Sequence, residues 1–140
     1  MNVASPLSCD IPDECSGLFQ DVPPSNPFCV YTEALYNGGI TSGCSTSPLN
    51  YCPTGFTQRQ AMAKFICLSM NIADPGSCAT VACAGTFGDV TAANPFCTYI
   101  EGLYNAGVVN GCTASPLNYC PTNNVTREQM SKFLVLGFTL

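Results

Sequence analysis

Apolar residues in this chain gather into short stretches of helical spacing, separated by long polar loops rich in Gly, Pro, Asn and Ser. From Asn26 onward, Phe28, Tyr31 and Leu35 fall at i, i+3 and i+7, which predicts one stripe of a helix. Asn26 suits the N-cap, and Pro27 suits the first helical position, where its missing N–H costs nothing. Asn37-Gly38-Gly39 supplies the stop, because Gly takes the left-handed cap conformation. The same reading recurs from Asn94 to Gly107. Second helices are expected to open at Thr57-x-x-Gln60 and at Thr126-x-x-Gln129, both readable as capping boxes one register apart. Met62, Phe65, Ile66 and Met70 would form one apolar face, and Met130, Phe133 and Leu134 repeat most of it.

The recurrence is a duplication. Residues 15–66 overlay residues 83–134 at a constant offset of 68 without gaps, and over half the positions are identical. Phe19-Gln-Asp21-Val22 returns as Phe87-Gly-Asp89-Val90, and Asn26-Pro-Phe-Cys29 as Asn94-Pro-Phe-Cys97. Ser47-Pro-Leu-Asn-Tyr-Cys-Pro-Thr54 returns as Ser115 to Thr122. Four segments follow: a Cys-containing N-terminal segment (1–18), a first repeat (19–70), a Cys-containing connector (71–86), and a second repeat with an apolar tail (87–140). Neither helix pair carries enough apolar surface to stand alone, so the two repeats are expected to pack on each other. The expected fold class is mainly α: two tandem helix–loop–helix repeats packed as a small disulfide-stapled helical domain.

Cysteine is the compositional outlier, with 11 in 140 residues, no His and no CxxC. Without His there is no His-based catalytic triad and no His-containing zinc site. The thiols are therefore expected to form disulfides, which places the chain in an oxidising compartment. Duplication constrains the pairing, because equivalent cysteines should pair equivalently. Cys44 with Cys52 and Cys112 with Cys120 each close a Ser-Pro-Leu-Asn-Tyr loop, and Cys15–Cys29 and Cys83–Cys97 form the next equivalent sets. Cys67 has Val135 at its equivalent place, so it is expected to meet Cys78 in the connector, leaving Cys9 unpaired or intermolecular.

Charge is scarce. The chain carries four basic and nine acidic residues and a net charge of −5, which excludes a nucleic-acid footprint. No apolar run approaches the ~20 residues of a membrane helix, and no signal sequence is visible at the N-terminus. The basic residues form two equivalent pairs, Arg59 with Lys64 and Arg127 with Lys132. The plainest expectation is that each Arg pairs with a repeated acid of its own unit, Asp21 or Glu33 and Asp89 or Glu101. Glu33 and Glu101 are placed by the duplication rather than by a reaction, and the chain has no Gly-rich phosphate loop, so no catalytic residue is assigned. Asp10, Asp13 and Glu14 lack the oxygen spacing of a calcium loop, so no metal and no cofactor are expected. Asn124-Val-Thr126 is a glycosylation sequon in a host that uses it, and otherwise Thr126 is a helix cap.

Taken in order, Phe-x-Asp-Val, Leu-Tyr-Asn-Gly-Gly-Ile or Leu-Tyr-Asn-Ala-Gly-Val, Gly-Cys, Tyr-Cys-Pro and Val125-Thr-Arg-Glu128 resemble the S-layer homology (SLH) repeat. The likeness is to the bacterial variant with a cysteine pair around the central loop, and it covers about residues 19–70 and 87–137. The resemblance implies helix–loop–helix units, three of which usually pack about a pseudo-threefold axis and attach proteins to cell-envelope polysaccharide. This chain has two repeats, and Phe28 and Phe96 stand where the family often has Trp. The family's Thr-Arg-Ala-Glu motif reads Thr126-Arg-Glu-Gln in one copy and Gln58-Arg-Gln-Ala in the other. By resemblance, Arg59 and Arg127 stand where the motif arginine contacts an anionic sugar substituent, for which a bidentate guanidinium is suited.

The tail Leu134-Val-Leu-Gly-Phe-Thr-Leu140 is apolar and uncharged, and would either dock on its own core or insert into a neighbouring subunit by strand addition or groove filling. With a two-repeat unit and few charges, it makes Val135, Leu136, Phe138 and Leu140 the expected assembly residues. The expected function is a non-catalytic structural protein, extracellular or at the cell surface, that builds an ordered homopolymer. The alternative is an anchoring module of a larger surface protein, with envelope polysaccharide as the partner.

Overall fold

The computed structural model describes residues 10–138, so Cys9 and Leu140 lie outside the described residues. The helices are α1 (Cys29–Asn37), α2 (Arg59–Ala73), α3 (Cys97–Asn105) and α4 (Arg127–Phe138). Two-stranded antiparallel ribbons lie between them: β1 (Ser45–Thr46) with β2 (Leu49–Asn50), and β3 (Thr113–Ala114) with β4 (Leu117–Asn118). The protein is mainly helical, and no described helix is long and apolar enough to cross a membrane.

Among the described residues five disulfides close the structure: Cys15–Cys29, Cys44–Cys52, Cys67–Cys78, Cys83–Cys97 and Cys112–Cys120. Four are the pairs that repeat equivalence selects, and the fifth is the expected Cys67–Cys78. Each pair of α-carbons lies between 5.4 and 6.0 Å apart, inside the range a disulfide spans without moving the backbone.

The chain divides into two compact units, Met1–Gly55 and Phe56–Leu140. The division falls before α2, so the second helix of the first sequence repeat belongs to the second unit. There α2 packs against both α3 and α4. The core of this unit comprises Met62, Ile66, Met70, Phe87, Ile100, Leu103, Tyr119 and Phe133 with smaller neighbours and the Cys67–Cys78 bridge. The first unit, with α1 and one ribbon, has a core of only Phe19, Val22 and Cys29, with Leu18, Tyr36, Leu49 and Tyr51 packed around it.

The first helices begin later than the sequence predicts. Asn26 Oδ1 accepts from Phe28 N (2.8 Å) and Asn26 O from Cys29 N (3.0 Å), so Asn26 caps a turn that precedes α1. The Phe28–Tyr31–Leu35 stripe is also not the buried face of α1. Phe28 is 67% and Tyr31 53% exposed, whereas the helix buries Cys29, Thr32, Glu33 and Ala34. In the second unit the equivalents Phe96 and Tyr99 pack against the core and Leu103 is fully buried, because α2 lies against α3.

The second helices start differently from each other. Thr126 and Gln129 form the expected capping box, with Thr126 N donating to Gln129 Oε1 and Gln129 N to Thr126 Oγ1, both at 3.2 Å. The box read at Thr57 does not form. The N-cap of α2 is Gln58, which makes no side-chain cap bond. Instead, Arg59 N donates to Asn123 O (2.8 Å) and Gln60 N to Pro121 O (2.9 Å), so backbone of the following repeat caps α2.

Both disulfide loops share one construction. Cys52 and Cys120 take left-handed backbone at φ 58° and 57°, a conformation that costs a non-glycine residue about 1–2 kcal/mol. Asp21 holds the first loop by accepting from Tyr51 N (2.8 Å) and Cys52 N (2.7 Å). Asp89 holds the second through Tyr119 N and Cys120 N at the same distances. Glycine is required at the mouth of each loop. Gly43 and Gly111 have φ +81° and +92°, and a β-carbon there would collide with the carbonyl oxygen of Asn50 or Asn118.

Candidate functional site

The repeated acids do not meet the arginines. Glu33 is buried and accepts from Ser16 N (3.1 Å), Leu18 N (3.0 Å) and Ser16 Oγ (3.1 Å). Glu101 does the same for Ala84 N (2.8 Å) and Thr86 N (3.0 Å). Burial pushes both carboxyls up, but these N–H donors outweigh it and hold each below its ordinary value. Asp21 is lowered in the same way by Tyr51 N and Cys52 N, against a burial contribution that raises it. The expected Arg–carboxylate pairing with these acids is thus replaced: each acid is a backbone clamp, because the loops offer N–H groups without other partners.

Arg59 has a different partner. It is buried, and its Nε donates to Tyr119 O (2.8 Å) while Tyr119 Oη donates to Arg59 O (2.9 Å). Its guanidinium carbon lies 4.6 Å from the Tyr119 ring centroid and 5.8 Å from that of Phe133, both cation–π distances. Tyr119 is fully enclosed; burial raises its hydroxyl to about 12 despite the opposing charge of Arg59. Nothing in the sequence reading paired Arg59 with Tyr119. The usable signal was that Arg59 and Tyr51-type residues recur together at the same offset.

A cavity of about 310 Å³ opens beside this pair in the second unit, lined by Arg59, Val108, Gly111, Gln129, Lys132 and Phe133. Arg127 is exposed and takes no part in this cavity, so the two motif arginines occupy unlike surroundings. Of the expected assembly residues, Val135 and Leu136 are exposed on α4 at 47% and 43%, whereas Phe138 is half-buried against the core. Through residue 138 the tail is thus helix rather than a free strand.

Among the described residues four clusters join two cysteines and a carboxylate: Cys15, Cys29 and Glu33; Asp21, Cys44 and Cys52; and their equivalents in the second repeat. In each, both sulfurs are joined in a disulfide and the carboxylate accepts backbone N–H groups, so the donor set is spent on structure. No family model, no curated protein and no solved structure matches this chain.

Proposed function

We propose that this is a structural, non-enzymatic protein of the cell surface or extracellular space, which assembles with copies of itself into an ordered polymer. One observation carries the reading: α4 exposes the face that its counterpart α2 buries. Ile66 and Cys67 of α2 are 4% and 0% exposed, whereas Leu134 and Val135, at the equivalent positions of α4, are 39% and 47% exposed. An apolar helix face that one copy of a repeat needs for its core is left uncovered in the other, as interaction surfaces are. The motif residues that resemble SLH repeats support a cell-surface setting, and five disulfides suit an oxidising compartment. Sedimentation velocity of the purified chain tests the reading. Mass should rise with concentration, and Val135→Asp should hold the protein at its monomer mass; a wild-type chain that stays monomeric would remove it.

A second reading is favoured by the cavity, in which the Arg59 guanidinium and Lys132 ammonium line a space of about 310 Å³. Such a pocket suits an anionic substituent of an envelope polysaccharide, with this chain as the anchoring part of a larger protein. It predicts co-sedimentation with purified cell-wall polysaccharide that is lost in Arg59→Ala and Lys132→Ala.

A further inference from the structure

The way α2 is held in the second unit is a template for a contact that each chain leaves half-made at two places. Around α2 the template has five bonds. Arg59 Nε and Tyr119 Oη exchange hydrogen bonds with the partner residue's backbone oxygen; Arg59 N and Gln60 N donate to Asn123 O and Pro121 O; and Asn94 Nδ2 donates to Gln60 Oε1 (3.1 Å). The duplication assigns a counterpart to every group. On the helix side these are Arg127 and Glu128 of α4; on the receiving side they are Tyr51, Gly55, Pro53 and Asn26.

Among the described residues these counterparts have other local contacts, Tyr51 N donating to Asp21 Oδ1 and Asn26 Oδ1 accepting from Phe28 N, but they do not make the bonds of the template. Arg127 is exposed where Arg59 is buried, and Tyr51 is half-buried where Tyr119 is enclosed. The receiving side also shows apolar surface that its equivalent covers. Phe28 is 67% exposed, whereas its equivalent Phe96 packs against the core of the second unit. Each chain therefore has one donor face and one acceptor face; Arg127, Tyr51, Pro53 and Asn26 keep the residue type of the template, while Glu128 stands for Gln60 and Gly55 for Asn123, each keeping the oxygen that accepts there.

We propose that α4 of one copy docks on the α1-and-loop face of a second copy, setting Arg127 against Tyr51 as Arg59 stands against Tyr119. The contact rests on the self-assembly reading and specifies it. Two unlike patches meet, so every copy uses one patch to donate and another to accept. Such a heterologous contact builds a ring if its rotation closes and a filament if it does not.

The test uses the full-length, disulfide-bonded chain in mass photometry, with two variants that each block one patch. Arg127→Glu alters an exposed residue of the donor face, and Phe28→Glu an exposed residue of the acceptor face. Intact mass and circular dichroism confirm five disulfides and native helix content in both. The wild type should form polymers, and each variant alone should lose assembly by on the order of tenfold or more, as expected when a carboxylate is buried at a contact without a partner. An equimolar mixture retains one sound donor and one sound acceptor, so it should give a single species of twice the 14.7 kDa chain mass. Wild-type polymers with variants that polymerise equally well, or folded variants whose mixture stays monomeric, would overturn this contact while leaving self-assembly standing. A wild type that never polymerises would overturn self-assembly, and this contact with it. Tyr51→Phe adds a graded check: it keeps the ring and removes the hydroxyl, so polymers should form but dissociate several-fold faster, and an unchanged rate would count against the pairing.

Discussion

Arg59 and Tyr119 are joined twice: the guanidinium Nε donates to the tyrosine's backbone oxygen, and the phenol donates to the arginine's backbone oxygen. The two residues are 60 positions apart, and their reciprocal bond fastens a helix of the first sequence repeat to the loop of the second. Arg59→Ala removes a charged donor from a buried carbonyl and empties the space over the ring. It should destabilise the second unit by about 3 kcal/mol, whereas Tyr119→Phe should cost about 1 kcal/mol. Chemical denaturation of the two single variants and the double variant should show non-additivity, because each change already breaks the pair.

The enclosed Tyr119 hydroxyl makes stability depend on alkaline pH. Its value rises from 10.0 unfolded to about 12 folded, through burial, so folding favours the neutral form. That stability is complete below pH 10.0 and is lost as pH rises toward about 12. Phenolate absorbance should show one tyrosine titrating last, near pH 12, with unfolding close behind. Tyr119→Phe should remove that late step and no other.

The acid limb has the opposite sign. Glu33 and Glu101 titrate below their ordinary 4.5 in the folded chain, so they stabilise above that value and less as pH falls through the folded range. Glu101→Gln places an amide donor where Ala84 N and Thr86 N need acceptors. Its Tm at neutral pH should fall, and its Tm below pH 4.5 should approach the wild-type value. Thermal melts across pH 2 to 7 (about the span of carboxylate titration) check both.

Exposure should order the reduction of the disulfides. Cys67 and Cys78 are 0% and 1% exposed, and Cys44 and Cys52 both lie at the surface. Under a graded thiol reductant with mass-tag trapping, Cys44–Cys52 should open first and Cys67–Cys78 last. Losing the latter should cost about 3 kcal/mol by the chain-entropy estimate for a loop of this size.

Much of this was legible in the residues. Four of the disulfides follow from the single fact that equivalent cysteines have equivalent partners; that leaves Cys9, Cys67 and Cys78, of which Cys67 and Cys78 pair. The capping box at Thr126 and Gln129 was readable because both of its members are local. The box expected at Thr57 does not form because α2 is capped from more than 60 residues away, by Asn123 and Pro121, and local spacing carries no trace of that. The Phe28–Tyr31 stripe misled for a related reason: periodicity finds an apolar face but not the helix that covers it. The acids were misassigned because charge counts favour ion pairs, whereas burial beside a tight loop makes backbone N–H groups the nearer partners for Asp21 and Glu33. Arg59 stands out in the sequence as one of only four basic residues, but its aromatic partner becomes visible only once α2 is known to pack on the second repeat.

Negative-stain electron microscopy of the purified, disulfide-bonded chain tests the central claim most directly. Self-assembly predicts regular particles, filaments or a lattice with a constant repeat in the wild type. A field of single particles the size of one 14.7 kDa chain at every concentration would contradict it.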